Sequence, residues 1–370
     1  AIEPVHMKGS ILPLMVATNP NFRYRAVDGN GKEMPVPPKL KELETKSEIC
    51  KLVDLVYYGE VCQFGPTGPG GGFFMETLNT PEELDLVCRE TEEMFAGFYK
   101  KGYYHGEEIK EAFDLLKRTG RWECGLSNEY SVGGIYVDEK MRTTLPGLFA
   151  GGETASGVFG ACRVADAVTE MVVQGYRAGI SAAESCAGIK LSSPDHVDAV
   201  AASLLEAFDH TAGGPSPMSL ILEMEAAADR GIGCVREEKS IRQAIADFEA
   251  IEAKLPTVSI GSKSRAYNYE WIQYFQLRNR LTCSKLAAMM ADIRKESRGL
   301  HIRSDYPSID NETQLLRTFA ERNGEGSISF SRRPPIAGKV PLPPPGIIDY
   351  RDYLMTADLG LENLAYMEGL

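Results

Sequence analysis

Apolar residues recur at helical spacing through much of the second half of the chain. Val197–Ala228, Glu237–Leu255 and Tyr267–Arg298 each carry the pattern, as in Leu286, Met289, Met290 and Ile293. This is the spacing of helices buried along one stripe, so a helical block is predicted, with its methionines in the core. Earlier, Leu43, Ile49, Leu52, Val53 and Val56 predict an amphipathic helix over Leu40–Tyr58. Leu84, Leu86, Val87, Met94 and Phe95 mark the expected buried face of a helical stretch Pro81–Leu116. Between these two, Gly65-Pro-Thr-Gly-Pro-Gly-Gly-Gly72 breaks the period into a loop. Ala1–Met34 reads as short strand-like pieces around the turn Asp28-Gly-Asn-Gly31, and Pro35–Pro38 interrupts it. Ser192-Ser-Pro194 marks a boundary before the helical block. Beyond Pro307, Leu315–Ala320 and Ser327–Phe330 flank the turn Asn323–Gly326 as a hairpin, and proline-rich Arg333–Pro345 follows as an extended surface tail.

Ser131–Gly175 breaks both periodicities. Gly147-Leu-Phe-Ala-Gly-Gly-Glu153 reads as a short apolar strand ending in two glycines and a carboxylate. Such glycines allow the backbone to lie close against a cofactor, and a glutamate there accepts hydrogen bonds from ribityl or ribose hydroxyls. The small-residue stretch Ala155–Ala161 and Arg163 follow, and Asp166–Gly175 then begins a helix. The start of that helix offers N–H groups and a positive dipole end to an anionic group. This order of parts points to flavin chemistry.

At 370 residues, 43% hydrophobic and 25% charged, the chain is long enough for two or three domains with a substantial core. A net charge of −12 argues against nucleic acid or an anionic membrane surface as the main partner, since both demand a basic face. The longest apolar run, Ile11–Thr18, is far short of a membrane span, and no signal peptide opens the sequence. A cytoplasmic protein without a transmembrane segment is expected, with peripheral attachment to a membrane complex as the alternative. The eight cysteines form no C-x-x-C pair and no two of the five histidines are spaced as H-x-x-x-H. Reduced thiols in or near the core are therefore expected, and no protein metal site.

Val132-Gly-Gly-Ile135, Thr143–Glu153 and Gly160-Ala-Cys-Arg163 follow one another as the M-G-G-I strand, the T-x-x-x-G-L-Y/F-A-x-G-E segment and the G-A-N-R segment do in one flavoprotein family. Lys295-Glu-Ser-Arg-Gly-Leu-His-Ile-Arg-Ser-Asp-Tyr-Pro307 matches that family's E-S-R-G-x-H-x-x-x-D-Y/F-P segment. With two long motifs in the right order, the chain resembles the flavoprotein subunits of succinate dehydrogenase and fumarate reductase. That family includes L-aspartate oxidase and, more distantly, the adenylylsulfate reductase flavoprotein. The resemblance implies FAD as cofactor, an anionic small-molecule substrate and an iron–sulfur electron-transfer subunit as partner. It covers the later part of the family's length. No G-x-G-x-x-G follows a strand, and the sequence begins with Ala1 where the family's nucleotide-binding segment should end. A shortened chain, a processed chain or a separate N-terminal FAD-binding polypeptide is the expectation.

Matched one residue at a time, the resemblance implies the following roles. Arg163 falls on the substrate-binding arginine, and a guanidinium clamps a carboxylate through two parallel hydrogen bonds. His6 in His6-Met-Lys-Gly9 takes the place of the H-P-T-G histidine, or is an ordinary loop histidine, and the arginine after it is Arg23 or Arg25. Glu129 stands where the family has a histidine, and a carboxylate there repels a dicarboxylate. The general-acid arginine finds Lys46 or nothing. Gly151, Gly152 and Glu153 are expected to hold the cofactor, together with Ala167, Val168 and Thr169, which replace the family's N-S-L.

The expected fold is multidomain, mixed α+β and α/β. A capping domain spans 1–125, the end of an FAD-binding α/β domain 126–190, a helical bundle 191–306 and a small C-terminal domain 307–370. The expected function is hydride transfer between flavin and an anionic substrate, fumarate reductase-like. An L-aspartate oxidase-like enzyme is a variant of that reading. The alternative is a non-catalytic scaffold docking an iron–sulfur partner.

Overall fold

The computed structural model describes residues 2–4, 16–17, 19–35, 58–59, 61–99, 106–126, 131–155, 167–187, 189, 197–210, 213–324, 326–336 and 342–350. The chain divides into two compact units, residues 1–129 with 348–370, and residues 130–347.

In the first unit, β1 (Ile2–Pro4), β2 (Tyr24–Val27), β3 (Phe73–Thr77) and β4 (Arg121–Leu126) form an antiparallel sheet in the order β1-β4-β3-β2. Helices α1 (Pro81–Tyr99) and α2 (Gly106–Thr119) precede β4 in the chain. Phe73 and Met75 on β3 and Trp122 and Cys124 on β4 are fully buried, together with Val87, Ala112 and Leu116 of the helices. The Trp122 indole N–H donates to the Ala112 carbonyl at 2.7 Å, and its ring stacks on Phe113. An indole of this size is buried without an unmet donor.

The expected helix Pro81–Leu116 is thus two helices, and the second continues to Thr119, where Gly120 at φ +70° ends it. The buried face of α1 is Leu84, Val87, Cys88 and Thr91, not the expected set that included Leu86 and Met94, each 44% exposed. The i, i+3, i+4, i+7 row from Leu84 leaves Met94 on the flank and Leu86 on the opposite side. The Asp28 turn forms as read: Gly31 N–H donates to the Asp28 carbonyl, and Val27 bridges Glu33. In the Gly65–Gly72 loop, Glu123 on β4 accepts from Gly70 N–H at 2.7 Å and Gly72 N–H at 3.2 Å. A Cβ on Gly72 would sit 2.1 Å from the Cys124 carbonyl oxygen, so only glycine lets the loop lie this close. The expected helix over Leu40–Tyr58 falls outside the described residues except at its last residue.

In the second unit, α3 (Ala167–Cys186) and α4 (Val197–Leu205) lead into a three-helix bundle of α5 (Pro217–Ile232), α6 (Glu238–Glu252) and α7 (Tyr269–Ile293). Ser216 caps α5 by accepting from Ser219 N–H, with Pro217 at the first helical position. Asn268 caps α7 by accepting from Trp271 N–H. The bundle core is Leu220, Met224, Ile241, Phe248, Leu277 and Leu281, each at most 4% exposed. The expected single stretch Val197–Ala228 is broken between Asp209 and Ser216, where Gly213, Gly214 and Pro215 cannot carry a helix. Strands β5 (Val235–Arg236), after the first bundle helix, and β6 (Ile302–Arg303), after the third, pair in parallel, and β7 (Ser308–Asp310) follows. The hairpin of β8 (Arg317–Arg322) and β9 (Ile328–Arg333) forms close to where the pattern placed it.

Among the described residues no helix is long and apolar enough to cross a membrane. Cys62, Cys88 and Cys124 are buried thiols, and burial pushes Cys62 and Cys88 each up to about 11. Cys186 and Cys283, however, are exposed, which corrects the expectation of core positions for those two. They sit on the outward rows of α3 and α7.

Candidate functional site

Residues 131–155 form a set of tight turns instead of the two expected strands. Asp138 Oδ1 accepts from Lys140 N–H and Arg142 N–H, each at 2.9 Å, and Arg142 Nε donates to Asp138 Oδ2 at 2.7 Å. The hydrogen bonds from Arg142 hold the Asp138 carboxyl below the usual range. Only isolated bridges join this region, Arg142 with Phe149 and Ile135 with Ala155. Among the described residues no neighbouring strand extends either bridge into a ladder, which is why the strand reading fails here.

The Gly151–Gly152–Glu153 turn is fixed from two sides. Gly152 N–H donates to Gln174 Oε1 at 2.7 Å, and Gln174 Nε2 donates to Glu170 Oε1 at 2.9 Å, both side chains on α3 and both buried. On the other side, Ser131 N–H donates to Glu153 Oε1 at 2.8 Å and Ile135 N–H to the Thr154 carbonyl at 2.9 Å. Gly152 has φ +75°, and a Cβ there would lie 3.0 Å from Met171 Cγ. Gly134, at φ +143°, passes so close to Thr154 that a Cβ would meet its carbonyl oxygen at 2.4 Å. The glycines therefore serve the close approach of turn to helix. Glu153 remains exposed, with one carboxylate oxygen tied to Ser131.

Helix α3 is amphipathic in the inverse sense. Its buried row is polar or small: Glu170, Gln174 and Ser181. Its apolar residues face outward, with Val168 at 68%, Val172 at 67% and Tyr176 at 71% exposed, and Met171, Val173 and Ile180 nearly half exposed. Thr169 is exposed beside Val168.

Of the residues assigned from sequence, Gly151, Gly152 and Glu153 form the turn that Gln174 of α3 holds, and Val168 and Thr169 lie exposed in the first turn of that helix. Ala167 opens α3 as the helix's first residue. Arg163, His6, Glu129 and Lys46 lie outside the described residues. Arg23 and Arg25 are described and are engaged elsewhere, Arg23 with Glu83 on α1 and Arg25 with Glu76 on β3, each at 2.6 Å. The residue missed was Gln174. Its signal was a glutamine four positions after Glu170, one turn along an otherwise apolar helix.

The Lys295–Pro307 motif builds a closed ionic hub. Glu296, fully buried, accepts from Arg294 Nη1 at 2.6 Å, from Arg298 Nε and Nη2 at 2.9 and 2.8 Å, and from Asp310 N–H at 3.0 Å. Arg303, also fully buried, forks onto both oxygens of Asp305 at 2.7 Å and donates to the Ala291 carbonyl at 2.8 Å. His301 accepts at Nδ1 from Arg236 at 3.0 Å and points Nε2 at the Arg294 carbonyl, 3.3 Å away. Burial first, and then the Arg236 charge, lower its pKa to about 3, so the ring is neutral. The hub locks the end of α7 to β6 and β7.

Residues 221–346 match the model of the fumarate reductase flavoprotein C-terminal family. The fumarate reductase flavoprotein subunit of Mycobacterium tuberculosis is 30% identical over 215 residues, which is 55% of this chain and 37% of that protein. That of Escherichia coli is 30% identical over 253 residues, 66% of this chain and 39% of that protein. The chain thus spans less than half the length of these relatives. In fold it is similar to the E. coli quinol fumarate reductase flavoprotein, at TM-score 0.67 and 21% identity over 92% of this chain and 59% of that one. It is also similar to the adenylylsulfate reductase of Archaeoglobus fulgidus, at TM-score 0.55 and 14% identity over 85% and 56%. With the glycine turn in place and the helical and C-terminal motifs matched in order, the chain belongs to the succinate dehydrogenase and fumarate reductase flavoprotein family, whose C-terminal part it covers.

Proposed function

We propose that this chain supplies the substrate-side, helical and C-terminal portions of an FAD-dependent oxidoreductase that moves a hydride between flavin and an anionic organic acid. The observation that carries this reading is the Gly151–Glu153 turn, pinned by Gln174 of α3 while Glu153, and Val168 and Thr169 at the start of that helix, stay exposed. These residues suit the cofactor. Glu153 offers an acceptor for ribityl or ribose hydroxyls, and the start of α3 at Ala167–Thr169 offers backbone N–H groups. Bound there, FAD would supply hydride transfer at its N5.

Arg163 is assigned the substrate carboxylate, where a planar fork fixes orientation and lends positive charge as the reacting carbon changes. His6 is assigned a second hydrogen bond to the same carboxylate, and Lys46 the proton. Glu129 in place of a histidine disfavours a second substrate carboxylate. The proposed substrate is therefore an activated acid, thioester or oxyanion in preference to fumarate or succinate. The outward apolar row of α3 is assigned to the nucleotide-binding portion of the working enzyme, and an iron–sulfur protein is the proposed electron partner. The second reading, a non-catalytic scaffold for that partner, is favoured by Glu129 in place of the histidine and Lys46 in place of the general-acid arginine.

The test is turnover of the protein purified from its native source, followed by reoxidation of reduced methyl viologen with a panel of unsaturated acids, their thioesters and oxyanions. Turnover that disappears in Arg163→Gln supports the enzyme. A flavin-bearing protein inert to the whole panel, or Arg163→Gln turning over as fast as wild type, sinks the assigned chemistry.

A further inference from the structure

Between residues 317 and 333 the β8–β9 hairpin carries Arg317, Arg322, Arg332 and Arg333 against Glu321 and Glu325, a basic ribbon in a chain of net charge −12. Register places Arg317 directly across from Arg333 and Thr318 across from Arg332. Like charges opposite one another destabilise a strand pair. Both of the first two guanidinium groups lie over one ring: Arg317 Cζ is 5.2 Å and Arg333 Cζ 4.6 Å from the Phe319 centroid. Tyr136 holds that ring by an edge contact at 5.5 Å.

Among the described residues none of these four arginines has a carboxylate partner. Arg332 Nη2 reaches only the neutral Gln314 Oε1, at 2.8 Å. Arg317 Nε, Arg332 Nε and Thr318 Oγ1 are buried with no hydrogen-bond partner. Unmet buried donors are rare in folded proteins, and leaving one so is costly. The neighbouring hub shows how this unit otherwise treats buried arginines, with Arg298 and Arg303 each forked onto a carboxylate. As a two-stranded sheet among the described residues, the ribbon also leaves one edge of each strand without a neighbouring strand there.

We propose that the β8–β9 ribbon docks an extended acidic segment of a partner polypeptide, which adds alongside β9 and sets carboxylates against Arg332 and Arg333. Successive side chains of a strand point to opposite faces, so consecutive acidic residues of the added strand meet the two arginines on their two faces. Main-chain bonds along the edge supply affinity, and the guanidinium forks select acid. A small anion would neutralise one face and leave the other unmet. Nucleic acid would meet repulsion from the rest of the chain. This surface is independent of the flavin reading.

The test titrates fluorescein-labelled heptaglutamate into the whole chain at low salt and reads anisotropy. Binding weakens by at least about tenfold in Arg332→Gln/Arg333→Gln, whose lost pairings are charge-assisted. It also weakens when alternate peptide amides are N-methylated. Arg333→Gln melts no lower than wild type, because it relieves the Arg317–Arg333 opposition, and this keeps the variant interpretable. Equal binding by the double variant overturns the proposal. So does indifference to N-methylation together with displacement by equimolar citrate, or tighter binding of single-stranded DNA than of the peptide.

Discussion

Two helical regions of the second unit bury their residues in opposite ways. The bundle α5–α6–α7 closes on itself, with Leu277 and Phe248 at 0% exposed and Leu281 at 1%. Helix α3 turns Glu170 and Gln174 inward and holds Val172 and Tyr176 to solvent, and α4 has no buried residue at all. Both regions are apolar by sequence. What separates them is whether the chain itself provides the opposing layer. A bundle needs only its own helices, whereas a helix flanking a dinucleotide-type sheet needs that sheet. The bundle therefore carries the stability of this unit, and α3 with its glycine turn carries the function proposed for it.

The sharpest break in that contrast comes from the hub at the end of the bundle. Glu296→Ala leaves Arg294 and Arg298 without their shared anion and is expected to cost about 3–5 kcal/mol, read from the urea midpoint. Next, Leu277→Ala should cost about 2–5 kcal/mol. By contrast, Val172→Ala on α3 should change the stability of the isolated chain by less than about 0.5 kcal/mol. A large loss at Val172 would mean that the α3 face is already covered.

Acidification acts on the bundle side through His301. Its folded pKa of about 3 lies below the unfolded value of 6.5, so between those values the unfolded chain binds the extra proton. Stability then falls as pH drops through this window, by up to about 1.4 kcal/mol per pH unit, and His301→Gln should flatten that slope. A pH–stability curve of unchanged slope in the variant would remove His301 from the account. On the α3 side, Gln174→Ala strands Gly152 N–H and should cost about 1–3 kcal/mol, with flavin retention falling more than the melting temperature.

The legibility of these regions follows the same division. Several segments that find their partners within the chain were readable: the bundle helices, the Asp28 turn and the β8–β9 hairpin lie close to where the spacing puts them, whereas β3 and β4, also paired within the chain, were not read as strands. Leu86 and Met94 were misplaced because an apolar residue does not by itself say which row of a helix turns inward. Gly147–Ala150 and Val132–Ile135 read as strands but pair only through single bridges. Their apolar residues Ile135 and Leu148 stay exposed, at 45% and 46%, since a strand is made by its neighbours and not by its own sequence. At the site, Gly151–Glu153 was legible as a glycine turn with a carboxylate. The lock on it was not, because Gln174 reaches it from a helix 22 positions away in sequence.

The uncovered face of α3 and the Glu153 turn are proposed to belong to a flavin site. The most direct measurement is the visible spectrum and mass-spectrometric polypeptide content of the protein purified from its native source. The account predicts bound flavin and a nucleotide-binding portion, on this polypeptide or on a companion, with flavin lost in Glu153→Ala. A colourless protein, with the apolar face of α3 still freely exchanging and no nucleotide-binding portion present, would contradict it.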